Sequence, residues 1–326
     1  MTTGLHRNGE ASVSHDKPSI AAVDWGTTRM RVWLLDTAGR VLDERRSDDG
    51  LLTARSRGFS VVLEQHLAAL RAPVTLPVII CGMAGSRQGW LEVPYVDVPA
   101  PIGGILKSAT AVKGERSDIR IIPGLAQRLQ SEPEVLRGEE TQLAGADLPE
   151  KGRHIVCMPG THSKWIVVEE GVVSRFGTWM TGELFSLLAS HSILRHSLGE
   201  KPSTVAADNA TFRHWCETAL ASGGDIASRL FSIRAAGLLH GLSPDEAAAA
   251  LSGLLIGGEI ASARRVYEPG RQEIVLISSG ALGALYGTAL EIAGMAFRPV
   301  DADEAVRAGL FAAARRNGMI GNGVAA

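Results

Sequence analysis

An aspartate at the end of an apolar run, followed at once by a glycine and two hydroxyl residues, can grip a phosphate. The chain carries this combination as Ile20-Ala21-Ala22-Val23-Asp24-Trp25-Gly26-Thr27-Thr28. Gly26 lets the backbone come close to an anion, and the Thr27 and Thr28 hydroxyls and nearby N–H groups can donate to it. Asp24 stands where a carboxylate can hold a hydrated Mg²⁺ beside that phosphate. The plain alternative is an ordinary hairpin turn. A second stretch, Gly82-Met83-Ala84-Gly85-Ser86-Arg87-Gln88-Gly89-Trp90, is glycine-rich and follows an apolar run. Ser86, Arg87, Gln88 and Trp90 could supply hydrogen bonds, charge and a flat wall for a polar metabolite. Alternatively, Trp90 is a plug in a long connection. A third, Arg137-Gly138-Glu139-Glu140-Thr141-Gln142, offers two acids. Either could serve as general base toward a hydroxyl, or both could simply complement a helix dipole.

The second half restates the first. Met158-Pro159-Gly160-Thr161-His162-Ser163-Lys164-Trp165 again joins two apolar runs through a Gly-Thr turn. Met180-Thr181-Gly182-Glu183-Leu184 opens a helix, with Thr181 as its expected N-cap and Glu183 as a first-turn acid. Ser279-Gly280-Ala281-Leu282-Gly283 follows a further apolar run, and its small residues would let a flat base or ribose lie against backbone.

These residues need elements to hold them. The pattern predicts three strands from residue 19 to about 42, a helix over 58–71, a strand over 76–81 and another near 118–124. A helix starts near Arg137. The three-strand unit recurs from His154, residues 205–263 read as helical, and strand–turn–helix follows from Glu273. The end is a strand at 297–300 and an amphipathic helix over 304–316. The repeat predicts an α/β chain of two duplicated domains, over 18–150 and 151–326, after a loose polar tail at 1–17. Two such domains facing each other would offer two phosphate-gripping hairpins to one nucleotide.

A length of 326 residues suits two domains with sizeable cores. The net charge of −2 argues against a nucleic-acid surface. No apolar segment is long enough to cross a membrane, and residues 1–17 lack a secretory h-region, which points to the cytoplasm. Cys81 and Cys157 lie in apolar runs and are expected to be buried, reduced thiols.

Together these parts resemble the actin-like ATPase superfamily, with its ribonuclease H-like domains and interdomain nucleotide cleft. Asp24-Trp25-Gly26-Thr27-Thr28 resembles its first phosphate motif, Gly160-Thr161-His162 its second and Ser279-Gly280-Ala281-Leu282-Gly283 its adenosine motif. From Ser19 onward the chain resembles more closely the 2-dehydro-3-deoxygalactonokinase family. That likeness rests on the segments containing Asp24-Trp25-Gly26, Gly82 to Trp90, Arg137 to Gln142, Met158 to Trp165 and Met180 to Leu184. The resemblance implies ATP- and Mg²⁺-dependent phosphorylation of the terminal hydroxyl of 2-dehydro-3-deoxy-D-galactonate, in galactonate catabolism. It implies Mg²⁺ at Asp24 and a base at Glu139 or Glu140. Nucleotide contacts are implied from Gly26, Thr27, Thr28, Gly160, Thr161, His162, Lys164, Ser279, Gly280 and Gly283. The sugar acid would meet Met83, Ser86, Trp90 and Glu183, with Arg29 and Arg87 as cations for its carboxylate. Kinases for other sugars or 2-keto-3-deoxy sugar acids, an ATP-driven conformational switch and a phosphatase are the competing readings on this scaffold. The oligomeric state, a homo-oligomer included, stays open.

Overall fold

In the computed structural model, residues 17–114, 118–199 and 204–320 are described. Apart from Lys17, the N-terminal tail lies outside them. Strands β1 (Ile20–Trp25), β2 (Met30–Leu35) and β3 (Val41–Ser47) form an antiparallel meander. Helices α1 (Leu51–Arg57) and α2 (Phe59–Ala69) lead to β4 (Val78–Gly82), which runs parallel to β1. Short pieces follow: β5 (Val96–Asp97), β6 (Ala100–Pro101), α3 (Ile102–Lys107), β7 (Thr110–Ala111), β8 (Ile119–Ile121), β9 (Leu125–Leu129), β10 (Glu132–Leu136) and α4 (Glu139–Ala144). The meander then recurs as β11 (Arg153–Met158), β12 (Ser163–Glu169) and β13 (Val172–Trp179). Five helices come next: α5 (Thr181–His191), α6 (Arg195–Leu198), α7 (Ala210–Ala221), α8 (Ala227–His240) and α9 (Pro244–Tyr267). The described chain closes with β14 (Ile274–Ser278), α10 (Gly280–Ile292), β15 (Phe297–Asp301) and α11 (Ala302–Arg316).

Two six-stranded sheets result, in the orders β3-β2-β1-β4-β8-β7 and β15-β14-β11-β12-β13-β6. Five consecutive strands of each show one pattern, an antiparallel meander whose first strand continues into parallel neighbours. This duplication gives an α/β architecture built on two related mixed sheets. The match between halves is not a clean cut. β6, from the first half, adds an edge strand to the second sheet by pairing with β13. The terminal helix α11 packs on β1, β4 and α4.

Alternation along the strands decides which face each side chain takes. On β1, Ala21, Val23 and Trp25 pack with Val62 and Leu63 of α2. Ile20 and Ala22 face the other way, with Leu106 of α3 and Val306 and Leu310 of α11. On the second sheet, Cys157, Trp165 and Val167 pack with the long helix α9. Val156, Met158, Ile166 and Val168 face Leu143 of α4 and Ala305 of α11. Helices α3, α4 and α11 therefore fill the layer between the two sheets, and the even-numbered residues of β1, β11 and β12 look into it.

Helix α9 is the pillar of the second half of the chain. Its start carries a reciprocal Ser243–Glu246 capping box with Pro244 in the first turn. Nearly every residue from Ala247 to Ala261 is buried. At Gly253 a side chain would stand 2.3 Å from the Phe212 carbonyl, so only glycine lets α7 come this close. The helical stretch expected over 205–263 is thus resolved into α7, α8 and α9. The three cysteines are free and buried, as read for Cys81 and Cys157.

Candidate active site

The first hairpin turn is held from behind. Gly26 N–H donates to the Arg29 carbonyl at 2.8 Å, closing the turn. Leu51 and Leu52 N–H groups, at the start of α1, donate to the Gly26 and Thr27 carbonyls at 3.0 and 3.2 Å. Thr27, Thr28 and Arg29 are left exposed at the tip. Asp24 shares parity with Ile20 and Ala22, so its carboxylate enters the middle layer. Its register partners there are Arg31 on β2 and Cys81 on β4. Arg31 Nη1 lies 3.7 Å from Asp24 Oδ2, and Cys81 Sγ lies 3.7 Å from Oδ1. Burial pushes the Asp24 carboxyl above its ordinary range, and Arg31 opposes that rise.

Helix α4 brings in the acid pair. The backbone at Gly138 abuts Gly82 at the end of β4, so the first turn of α4 sits beside Cys81 and Asp24. The two acids then differ. Glu140 is 1% exposed, and both its oxygens are taken, one by Gly138 N–H at 2.6 Å and the other by the Thr141 hydroxyl at 2.9 Å. Burial first, and the Glu139 charge second, push Glu140 up to about 8. Glu139 is half-buried and accepts from Arg137 N–H at 2.9 Å. Its carboxyl is also raised by burial, but Lys164 pulls it back and Asp24 pushes it further up.

Lys164 is the counterpart from the other sheet. It has the parity of Ile166 and Val168, so it too enters the middle layer, and it is only 6% exposed. Asp24 from β1 and Lys164 from β12 therefore each lie close enough to Glu139 of α4 to act on its charge.

The second hairpin is clasped by α5. Glu183 N–H donates to the Thr161 carbonyl at 3.0 Å, and His162 Nε2 lies 2.5 Å from a Glu183 carboxylate oxygen. Any side chain at Gly182 would meet the Gly160 carbonyl at 2.6 Å, which explains the glycine. Thr181 is not the N-cap expected from its type. Met180 occupies that position, and the Thr181 hydroxyl donates instead to buried Glu259. Its partner lies far along the chain, beyond the reach of a local capping argument.

An apolar pocket of about 240 Å³ opens between this hairpin, α5, α9 and α10. Gly160, Thr161 and Gly182 form one side, Phe185, Leu255 and Ile256 another, and Leu282 and Tyr286 a third. Ser279 stands at the start of α10, where its hydroxyl donates to Asp301 at 3.0 Å and accepts from Ala302 N–H at 3.1 Å. Gly280 and Gly283 lie in the same turn, next to the pocket wall.

The glycine-rich segment after β4 folds as a short turn over Met83–Gly85 with a loop beyond. Trp90 is half-buried, stacked on Phe59 with centroids 6.2 Å apart and set edge-on to Trp25 at 6.3 Å. It closes the aromatic cluster under the first hairpin. Arg87 is exposed, as is Arg29. Ser86 Oγ is buried without a hydrogen-bond partner among the described residues. Sequence reasoning passed over Arg137, whose guanidinium lies 4.5 Å above the Tyr95 ring and donates to the Val93 carbonyl at 2.8 Å. It also passed over Glu259, although a lone acid within the apolar and small-residue run from Ala247 to Ala261 was a signal.

Known proteins share this sequence over most of its length. The protein named "Probable 2-dehydro-3-deoxygalactonokinase DgoK1" of Rhizobium meliloti (strain 1021) is 51% identical over 297 residues, 90% of this chain and 96% of its own. The 2-dehydro-3-deoxygalactonokinase of Escherichia coli (strain K12) is 35% identical over 289 residues, 89% of this chain and 95% of its own. A crystal structure from Sinorhizobium meliloti, assigned to 2-dehydro-3-deoxygalactonokinase, superposes with a TM-score of 0.86 at 51% identity, covering 91% of this chain and 98% of that one. The family model described as 2-keto-3-deoxy-galactonokinase matches residues 24–313, from Asp24 at the end of β1 to near the end of α11, and the chain belongs to that family.

Proposed function

We propose that the protein is a 2-dehydro-3-deoxygalactonokinase, transferring the γ-phosphoryl group of ATP to the terminal hydroxyl of 2-dehydro-3-deoxy-D-galactonate. Beyond family membership, one observation carries the reading. Glu139, in the middle layer, has one oxygen held by Arg137 N–H and lies within charge range of Asp24 from one sheet and of the buried Lys164 from the other. That is the charge pattern phosphoryl transfer needs, with positioning and neutralisation doing most of the catalysis.

The base of the nucleotide lies in the apolar pocket against Phe185, Leu255 and Leu282, with Gly280 and Gly283 admitting the ribose side. The hairpin tips, Gly26-Thr27-Thr28 and Gly160-Thr161-His162, take the phosphates from opposite sides. Mg²⁺ fits Asp24. A single partly open carboxylate suits a cation that keeps water and phosphate ligands. Among the described residues no cluster of His, Cys, Asp and Glu offers a protein cage for a metal. When bound, the ion neutralises phosphate charge.

Glu139 takes the proton of the acceptor hydroxyl. It keeps an open oxygen, and its raised affinity for a proton suits a base better than a carboxylate in water. Glu140 holds the turn of α4 through Gly138 and Thr141. Lys164 stabilises the charge on the phosphoryl group in flight. The acceptor lies on the first-domain side against Met83, Ser86 and Trp90, with Arg29 or Arg87 reaching its carboxylate.

The test is a coupled assay of ADP release over a panel of 2-keto-3-deoxy sugar acids, with simple sugars and water as controls. The expected outcome is turnover that requires an acceptor and is greatest with the galactonate derivative. ATP hydrolysis indifferent to acceptor would overturn the kinase reading, and a stronger preference for another acceptor would overturn the substrate.

A further inference from the structure

Glu259 is a buried acid that the phosphoryl-transfer chemistry does not use. It sits in the middle of α9, 2% exposed. Its carboxylate accepts hydrogen bonds from three separate elements. Oε1 accepts from Trp165 Nε1 of β12 at 2.8 Å. Oε2 accepts from the Tyr286 hydroxyl of α10 at 2.5 Å and from the Thr181 hydroxyl of α5. The Tyr286 hydroxyl is also 2.8 Å from Ser163 Oγ, the residue that follows His162.

Burying a carboxylate is costly unless donors replace its water, and an apolar side chain would fill the same space at lower cost. The location explains what the acid contributes. Thr181 and Tyr286 both line the apolar pocket. Trp165 and Ser163 belong to the strand that rises from the second hairpin. One carboxylate is thus the common acceptor for pocket walls formed by α5 and α10 and for the hairpin strand. Gly182, next to Thr181, is already in tight contact with Gly160, so a displaced α5 would push directly on the hairpin.

We propose that Glu259 is a positioning residue for the nucleotide: it fixes the Thr181 and Tyr286 walls and the second hairpin in the spacing that the nucleotide needs. The inference rests on reading the pocket as the nucleotide's. Without the acid, two buried hydroxyls lose their acceptor and turn toward other partners, the pocket among them. The acceptor side, on the other domain, is untouched.

The full-length chain decides the matter by steady-state kinetics, with ATP and the sugar acid varied in turn and thermal unfolding recorded alongside. Glu259→Gln should raise half-saturation for ATP roughly tenfold, the scale of one charge-assisted hydrogen bond, and move that for the sugar acid by less than about twofold. Tyr286→Phe and Thr181→Val should move ATP in the same direction by less. Tyr286→Phe added to Glu259→Gln should add little, because both act through one network. Equal shifts for both substrates, or full additivity, would mean that Glu259 serves only the core and would overturn the proposal. If Glu259→Gln does not fold, the Thr181 and Tyr286 variants decide by the same criterion. Ser252→Phe, which fills the pocket, separates the two levels. No change in ATP half-saturation in that variant would sink the nucleotide reading itself. A rise there with an unaltered Glu259→Gln would sink only the positioning role.

Discussion

Arg31 on β2 is hydrogen-bonded to Asp303 in the first turn of α11 while its same Nη1 lies 3.7 Å from Asp24. One guanidinium is therefore shared between the proposed metal ligand and the helix that crosses back from the second sheet. Asp303→Asn should release Arg31 toward Asp24, where it competes with the cation. The expected result is a several-fold higher Mg²⁺ requirement at half-maximal activity, with little change at saturating Mg²⁺. Asp24→Asn should instead lower turnover by about 10² to 10³ at any Mg²⁺ level, the scale of one lost preorganised electrostatic group. Near-normal turnover in a folded Asp24→Asn protein would remove Asp24 from the metal site.

The acid pair should separate cleanly. Glu139→Gln should reduce turnover by about 10² to 10⁴, the range for a positioned base, while ATP still binds. Glu140→Gln should stay within roughly tenfold of the parent, because its oxygens are already occupied and face no reacting group. The reverse ranking would move the base to Glu140.

Glu140 also makes a stability prediction. Its folded-state value of about 8 lies above the ordinary 4.5, so the folded chain binds the proton more tightly than the unfolded chain. The associated stabilisation is complete below about 4.5 and is lost as pH rises toward and through about 8. Glu140→Gln cannot titrate. Its stability relative to the parent should therefore improve steadily over that window, as read by urea unfolding at several pH values. A constant difference across the window would show that the carboxyl is not held neutral.

The 2.5 Å pairing of His162 with Glu183 ties two residues that the sequence assigned to different substrates. If Glu183 acts by orienting His162, His162→Asn and Glu183→Gln should both raise half-saturation for ATP, and the double variant should be no worse than the stronger single one. A Glu183→Gln effect confined to the sugar acid would return Glu183 to the acceptor site.

Arg29 and Arg87 are exposed, so each is expected to engage a carboxylate only when the acceptor is in place. Arg87→Ala or Arg29→Ala should raise half-saturation for the sugar acid and leave that for ATP nearly unchanged. A solvated pair contributes about 0–1 kcal/mol and a desolvated one about 2–5, so a shift beyond fivefold marks a closed site. No shift in either variant removes both from recognition.

The sequence alone determined the features whose physics is local. Strand alternation and turn residues announced both meanders, and the repeat of Gly-Thr turns announced the duplicated fold. Side-chain parity, also local, is enough to send Asp24 and Lys164 to the same faces as Ile20 and Ile166. Other matters depended on residues far apart in the chain. Glu139 and Glu140 are chemically alike and adjacent, and only packing buries one and leaves the other partly open. Thr181 has the type of a cap, yet its hydroxyl finds an acceptor 78 residues away. Trp90 could line a site or plug a core, and its contacts with Phe59 and Trp25 come from separate elements. Nor could the order of elements reveal that α11 returns to the first sheet, because its apolar stripe shows only that it must be covered. Such choices are set by which surfaces meet when two sheets close on a shared layer of helices, and only the tertiary structure decides that.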